Sequence, residues 1–253
     1  MSVLSSRDNP KVKRWSKLAQ DPRYRRSEKR ALIEGPHVLA AALGHGCKPI
    51  ALLATEEGAA DPEINRLIGQ SGLRPVLLSK GVFRAIVDAE TPQGVAAEIA
   101  IPSADADLGS RAVFLEGIQD PGNVGGIIRS AAAFGVRTVV LDQNCADAWS
   151  PKALRAGMGG HFQLRIRSVA AFEDELTRFQ GKLLCTVPRD GTLLRDADLA
   201  GHIGWIFGGE GQGVSAAAAR HAALHITIPM AAGVESLNVA AAAAICLYVS
   251  FSS

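Results

Sequence analysis

Three glycine-rich turns in the C-terminal half of the chain contain polar residues that a plain structural turn does not need. The first, Asp120-Pro121-Gly122-Asn123-Val124-Gly125-Gly126-Ile127-Ile128-Arg129, offers Asn123 as a cap for the helix that follows. It also sets Arg129 in an otherwise small and apolar helix, where a cation needs an anionic partner. The second, Phe207 to Ser215, surrounds Glu210 with four glycines between an apolar strand and a helix that Ser215 is placed to cap. The third, Ile228 to Val239, carries Ser236 as a candidate cap and Asn238 two residues into an alanine-rich helix that starts at Leu237. Asn is a poor helix former, so its side chain there has another task. Glycines let backbone amides approach a ligand closely, and the polar residues add one cation, one carboxylate, a hydroxyl and two amides.

Other chemistries fit less well. The spacing Gly211-x-Gly213-x-x-Ala216 is a weak dinucleotide-binding pattern, but it lies late in the chain and its acidic residue, Glu235, falls inside the third turn. The chain contains no G-x-x-x-x-G-K-[ST] loop. No histidine lies in the three turns, and His221 and His225 lack further ligand spacing, so neither a histidine base nor a metal site is expected.

Alternating elements position these turns. After a stretch of small and acidic residues, Pro102 to Gly109, strands are expected at Ala112 to Glu116, Thr138 to Asp142, Leu164 to Ile166, Leu183 to Val187, Ile203 to Phe207 and Leu224 to Ile228. Helices are expected at Val124 to Phe134, Pro151 to Ala156, Ala171 to Phe179 and Ser215 to Arg220. Alternation of this kind implies an α/β fold with a mainly parallel sheet and helices on both faces. Ligands of such sheets sit where strands end and glycine-rich turns begin. Upstream, Pro10 to Leu43 reads as basic and helical, followed by a small α/β unit with strands at Ile50 to Ala54, Val76 to Leu78 and Val95 to Ile101. Two domains are therefore expected, 1–105 and 106–253.

The net charge of +2 conceals +7 over the first 30 residues and −5 over the rest. A basic arm of this kind, with Trp15 and Tyr24 interleaved, suits phosphate contacts with RNA as well as it suits a solvated helix face. Cys47, Cys145, Cys185 and Cys246 lie far apart and read as small core residues of a protein in a reducing cytoplasm. The N-terminus has no secretory pattern, and the longest apolar run, Val239 to Val249, is too short for a bilayer, which needs about 20 residues. No membrane association is expected.

In order and spacing, the three turns resemble the three motifs of the SpoU (TrmH) family in the SPOUT class of RNA ribose 2'-O-methyltransferases. More loosely, Asn9-Pro10-Lys11-Val12-Lys13, Phe83 and Thr91-Pro92-Gln93-Gly94-Val95 look like the substrate-binding domain of ribosomal-RNA members. The resemblance implies a C-terminal trefoil knot, a homodimer, S-adenosylmethionine as methyl donor and ribosomal RNA, ahead of transfer RNA, as substrate. By the same matching, Asn123, Arg129, Glu210, Ser236 and Asn238 are the catalytic set. Gly208, Ile228, Leu237 and Thr186 are the cofactor contacts. Ala232 and Ala240 depart from the usual Gly and Ser of the third motif, and neither touches the five polar residues.

Methyl transfer requires the hydroxyl oxygen to lose its proton and lie in line with methyl and sulfur, which makes positioning important. A guanidinium with a pKa above about 12 is a weak base, so Arg129 is expected to act electrostatically, holding a phosphate and the developing oxyanion. Glu210 either faces the donor's sulfonium or holds loop amides. The competing readings are a nicotinamide-dependent oxidoreductase, which would bind NAD, and a non-catalytic RNA-binding protein, which would transfer no methyl group.

Overall fold

Among the described residues six helices begin at a proline, whose missing N–H is no loss in a first turn. The computed structural model describes residues 3 to 105 and 107 to 252. Its N-terminal part runs α1 (Pro10–Gln20), α2 (Pro22–Glu28), β1 (Arg30–Glu34), α3 (Pro36–Gly44), β2 (Ala51–Ala54), α4 (Glu56–Ala60), α5 (Pro62–Ser71), β3 (Val76–Leu77), α6 (Lys80–Ile86) and β4 (Val95–Ala100). Here the long helical reading of Pro10 to Leu43 is corrected. Asp21-Pro22 restarts the helix, Lys29 turns left-handed at φ 52°, and the next residues form a buried strand paired antiparallel with β4. Ala31-Leu32-Ile33 is apolar on both faces, a pattern that periodicity alone does not assign to helix or strand. The sheet order is β1-β4-β2-β3, and Val12, Trp15 and Leu18 of α1 pack with Leu32, Leu53 and Phe83 to form its core.

The chain continues through β5 (Arg111–Glu116), α7 (Pro121–Ala133), β6 (Thr138–Leu141), α8 (Pro151–Gly157), β7 (Arg165–Ser168), α9 (Phe172–Arg178), β8 (Lys182–Thr186), β9 (Thr192–Leu193), β10 (Ile203–Gly208), α10 (Ala216–Ala219), β11 (Leu224–Thr227) and α11 (Val239–Ser252). The strands form one seven-stranded sheet in the order β7-β6-β5-β10-β8-β11-β9, with parallel pairing throughout. Alternation along β10 places helices on both faces. Ile206 packs with Phe172, Phe179 and Ala218 of the α9–α10 side, whereas the Trp205 indole donates to Ser250 of α11. The structure is thus the α/β fold with a parallel sheet that the alternation implies.

Residues up to Pro102 form one compact unit together with Asp147–Phe162; the other unit comprises Ser103–Ala146 and the chain from Gln163 onward. Position 106, where the expected boundary falls, lies outside the described residues. Within the first unit, buried charges are paired. Glu98, buried on β4, accepts from Arg14 at 2.7 Å, from the Trp15 indole at 2.9 Å and from Arg30 at 3.3 Å. Arg25, also buried, donates to Asp147 at 2.7 Å and to the carbonyls of Leu18 and Ala19. Arg155 of α8 reaches Glu34 at 2.7 Å and Asp88 at 2.6 Å. Part of the basic arm's charge is therefore used internally rather than offered to a partner. Of the cysteines, Cys185 and Cys246 are buried as expected, while Cys47 and Cys145 are half-buried. Among the described residues no helix is long and apolar enough to cross a membrane.

His161 is buried beside Trp149, with one ring nitrogen 2.7 Å from the Ala148 carbonyl. Burial lowers its pKa from 6.5 to about 4. The unfolded chain therefore takes up a proton first, and the stability from burying a neutral ring is complete above about pH 6.5 and lost as the pH falls toward 4. The loss reaches about 3 kcal/mol. His161→Leu is expected to flatten the pH dependence of unfolding free energy across that window in denaturant titrations. An unchanged slope would exclude His161 as its source.

Candidate active site

Neighbouring parallel strands bring the expected cofactor residues to one edge of the large sheet. Gly208 ends β10, Thr186 ends β8, and Ile228 follows β11, three strands adjacent in that order. Beyond β10 the chain folds back on itself, with the Gly213 amide donating to the Gly209 carbonyl at 2.9 Å. The approach is too close for side chains. A Cβ at Gly208 would lie 2.0 Å from the Gly213 carbonyl carbon, and one at Gly209 would lie 2.3 Å from the Gly117 oxygen. Glu116, at the end of β5, fixes the far end of the loop by accepting from the Ser215 amide at 2.8 Å, and Ser215 caps α10 as expected.

Two capping expectations are corrected, and the corrections explain what the asparagines do. Asp120, not Asn123, caps α7, accepting from the Gly122 and Asn123 amides. Asn238, not Ser236, caps α11, which starts one residue later, at Val239; its Oδ1 accepts from Ala240 and Ala241 at 3.0 and 3.2 Å. Both side chains then have groups to spare. The Asn238 amide donates to Asn123 Oδ1 at 2.9 Å, and the Asn123 amide donates to Glu210 Oε1. One residue from each turn thus joins a single Glu210–Asn123–Asn238 clasp. Among the described residues, Glu210 accepts from this side-chain amide rather than from amides of its own loop.

A cavity of about 500 Å³ opens at these strand ends. Thr186, Gly208, Glu210 and Ile228 are on its wall, as are Ser236, Leu237 and Asn238 from the third turn. Asn123 is not on the wall but is bonded to two residues that are. Arg129 is not brought there: it lies exposed on α7, and no carboxylate among the described residues pairs with it. Exposure to water removes the need for the buried partner that the sequence implied.

Glu235 and Met230 also line the cavity. Glu235 adjoins Ser236, but its spacing from the second turn marks it in the sequence only as part of a nucleotide-binding pattern. That pattern opens a helix of four residues, too short to offer a pyrophosphate a useful dipole. A glycine cradle with backbone groups to offer, two carboxylates and apolar walls from Ile226 and Val239 suit a ligand that is cationic at sulfur and carries a flat aromatic ring with a polar edge. S-adenosylmethionine has that chemistry.

Comparison with known proteins agrees with this geometry. Residues 110–248 match the SpoU rRNA Methylase family, and residues 9–97 match the MRM3-like substrate binding domain. The 23S rRNA (guanosine(2553)-2'-O)-methyltransferase RlmP of Bacillus subtilis is 33% identical over 98% of this chain and 98% of its own length. The 23S rRNA (guanosine-2'-O-)-methyltransferase RlmB of Coxiella burnetii is 27% identical over 85% and 93%. A crystal structure of an RNA 2'-O ribose methyltransferase superimposes with a TM-score of 0.84 at 28% identity, covering 99% of this chain and 98% of that one. The SpoU methyltransferase AviRb from Streptomyces viridochromogenes, in complex with AdoMet, gives 0.84 at 25% identity over 96% and 98%. With its second and third turns lining one cavity, the first tied to both through Asn123, and likeness along nearly its whole length, the chain belongs to the SpoU rRNA methylase family.

Proposed function

We propose that this protein transfers a methyl group from S-adenosylmethionine to a ribose 2'-hydroxyl of 23S-type ribosomal RNA. In this reading residues 1–105 form the RNA-binding domain, residues 106–253 form the methyltransferase domain with its C-terminal chain threaded as a trefoil knot, and the enzyme works as a cytoplasmic homodimer. The observation that carries the reading is the clasp, because it unites polar residues from three separate turns beside a cavity with the donor's chemistry. The 23S substrates named for RlmP and RlmB support the choice of RNA.

S-adenosylmethionine, when bound, supplies an electrophilic methyl group on a positively charged sulfur. Gly208, Thr186, Ile228 and Leu237 hold it, chiefly through backbone groups at the strand ends. Glu210 and Asn238, fixed to each other through Asn123, keep the second and third turns at the spacing the donor requires, and Ser236 orients the ribose. Arg129 carries an exposed, unneutralised charge on α7, about 1.7 turns beyond Asn123 and so on a different face of the helix. Since it lies away from its own chain's cavity, it acts across the proposed homodimer, where it holds the phosphate next to the reacting ribose and stabilises the oxyanion as the hydroxyl proton leaves to that phosphate or to water.

The homodimer has its own support. α11 exposes Ile245, Tyr248 and Phe251 at 39%, 58% and 54%, spaced so that they share one helix face. Phe134 of α7 packs against the last two, which extends the apolar surface.

Arg129→Ala is expected to lower kcat by roughly 10² to 10³ in a labelled-methyl assay on 23S ribosomal RNA, with donor affinity by calorimetry unchanged. Arg129→Lys discriminates further: near-normal turnover with the loss confined to RNA affinity would sink the transition-state role. Asn123→Ala opens the clasp and should weaken donor binding about tenfold or more, since a hydrogen bond to a charged group is lost. The double variant Tyr248→Asp/Phe251→Asp should be monomeric by light scattering; a dimer of unchanged stability would place the interface elsewhere.

A further inference from the structure

The sequence directs attention to the basic arm, yet the arm's arginines 14, 25 and 30 are bound to Glu98 and Asp147. Unneutralised cations collect elsewhere on the same unit. One groove, of about 330 Å³, lies between α1 and the strands β2 and β3; a second, of about 820 Å³, lies between α3 and α5. Leu73 lines both, so the two grooves adjoin there as a furrow in two parts. Lys11 and Arg14 of α1, Lys48 after α3, Arg66 of α5 and Arg74 before β3 line it. Its one carboxylate is Glu98, which is buried and already held by Arg14 and Arg30.

Lys11, Lys48, Arg66 and Arg74 are exposed, and no carboxylate among the described residues pairs with any of them. By contrast, the exposed Lys13 and Lys80 of this unit have Asp8 and Glu57 within 2.9 Å. Cations brought from four parts of the chain to one elongated furrow do not suit a single small anion. They suit a polyanion whose charges repeat along its length. Between them the exposed Ile50 and the side of Leu73 offer apolar surface to the faces of riboses or unstacked bases.

We infer that this furrow is a track for the sugar-phosphate backbone of the substrate RNA, with Lys48, Arg66 and Arg74 as phosphate ligands outside the basic arm. The inference rests on the RNA methyltransferase reading and adds to it the path that the RNA follows on the substrate-binding unit. Backbone interactions of this kind fix orientation and carry no sequence preference.

The test uses the full-length protein and a 23S ribosomal RNA transcript, with binding measured over a salt series. Removing one phosphate-binding cation should reduce the slope of log K against log salt by about 1, so Arg66→Gln/Arg74→Gln should reduce it by about 2. At about 0.15 M salt the double variant should bind roughly tenfold to thirtyfold more weakly. KM for RNA should rise, with kcat and donor affinity kept. Lys80→Gln is the control for a cation that already has a partner, and it should leave the slope at the wild-type value. Wild-type slope and KM in the double variant would overturn the furrow alone. Binding with the expected slope loss, but no methyl transfer by the unmodified protein, would overturn the enzymatic reading and leave the furrow standing. Failure of the unmodified protein to bind RNA would overturn both.

Discussion

An asparagine side chain has one carbonyl oxygen and one amide to offer, and Asn123 commits both to other turns: its amide to Glu210 and its oxygen to Asn238. This arrangement is possible only because neither end of Asn123 is needed locally. Asp120 satisfies the first-turn amides of α7, and Asn238 caps α11 with its own oxygen while its amide remains free for Asn123. Capping and clasping are thus divided between the two ends of one amide group. Replacing Asn238 by a serine would preserve a cap and lose the clasp, because a hydroxyl does not offer an amide donor and a carbonyl acceptor in opposite directions. The cavity at the strand ends depends on this chain of bonds, since it ties the second turn to the third beside it.

The sheet sets the other constraint. β10, β8 and β11 are parallel neighbours, so their C-terminal ends lie together, and the chain must leave each of them without obstructing the next. Gly208 and Gly209 meet that requirement by letting backbone pass within distances that no Cβ allows. The same economy of side chains joins α7 to α11, where a Cβ on Gly126 would come 3.3 Å from that of Ala240. A side chain at position 126 would therefore crowd Ala240, between the helix that carries Asn123 and the helix that Asn238 caps.

The motif residues and the alternation of elements were legible because glycine runs and apolar periods are local properties. What the polar residues bond to was not. Poor helix propensity drew attention to Asn238, yet the residue proves to be the cap, where Asn is favoured, and its partner, 115 positions earlier in the chain, left no local trace. β1 escaped for a different reason, since a short run that is apolar on both faces satisfies a helix and a buried strand equally, and only the pairing with β4 decides. The helix of Asp147–Phe162 was readable, whereas its membership of the N-terminal unit is fixed by Arg25–Asp147 and Arg155–Glu34, pairs more than 100 residues apart. Charge counting failed similarly. It located the basic arm but could not tell that Glu98 neutralises part of it.

Arginine is used in two ways in this chain, and burial separates them. Removing a guanidinium from water is costly unless a carboxylate compensates, and three arginines drawn into the fold have one. Arg25 has Asp147, Arg155 has Glu34, and Arg167 has a bidentate pair with Glu175 at 2.7 and 2.8 Å. Arg129 belongs to the second class, with Arg66 and Arg74: exposed, and without a carboxylate among the described residues. On α7 the neighbouring Ile127, Ile128 and Ala131 are buried, so that the helix has a core face, and the position that points away from it carries the charge. Such a cation gains little stability from its surroundings. Its charge is therefore left open to an anion arriving from solution, which is the role proposed for it above.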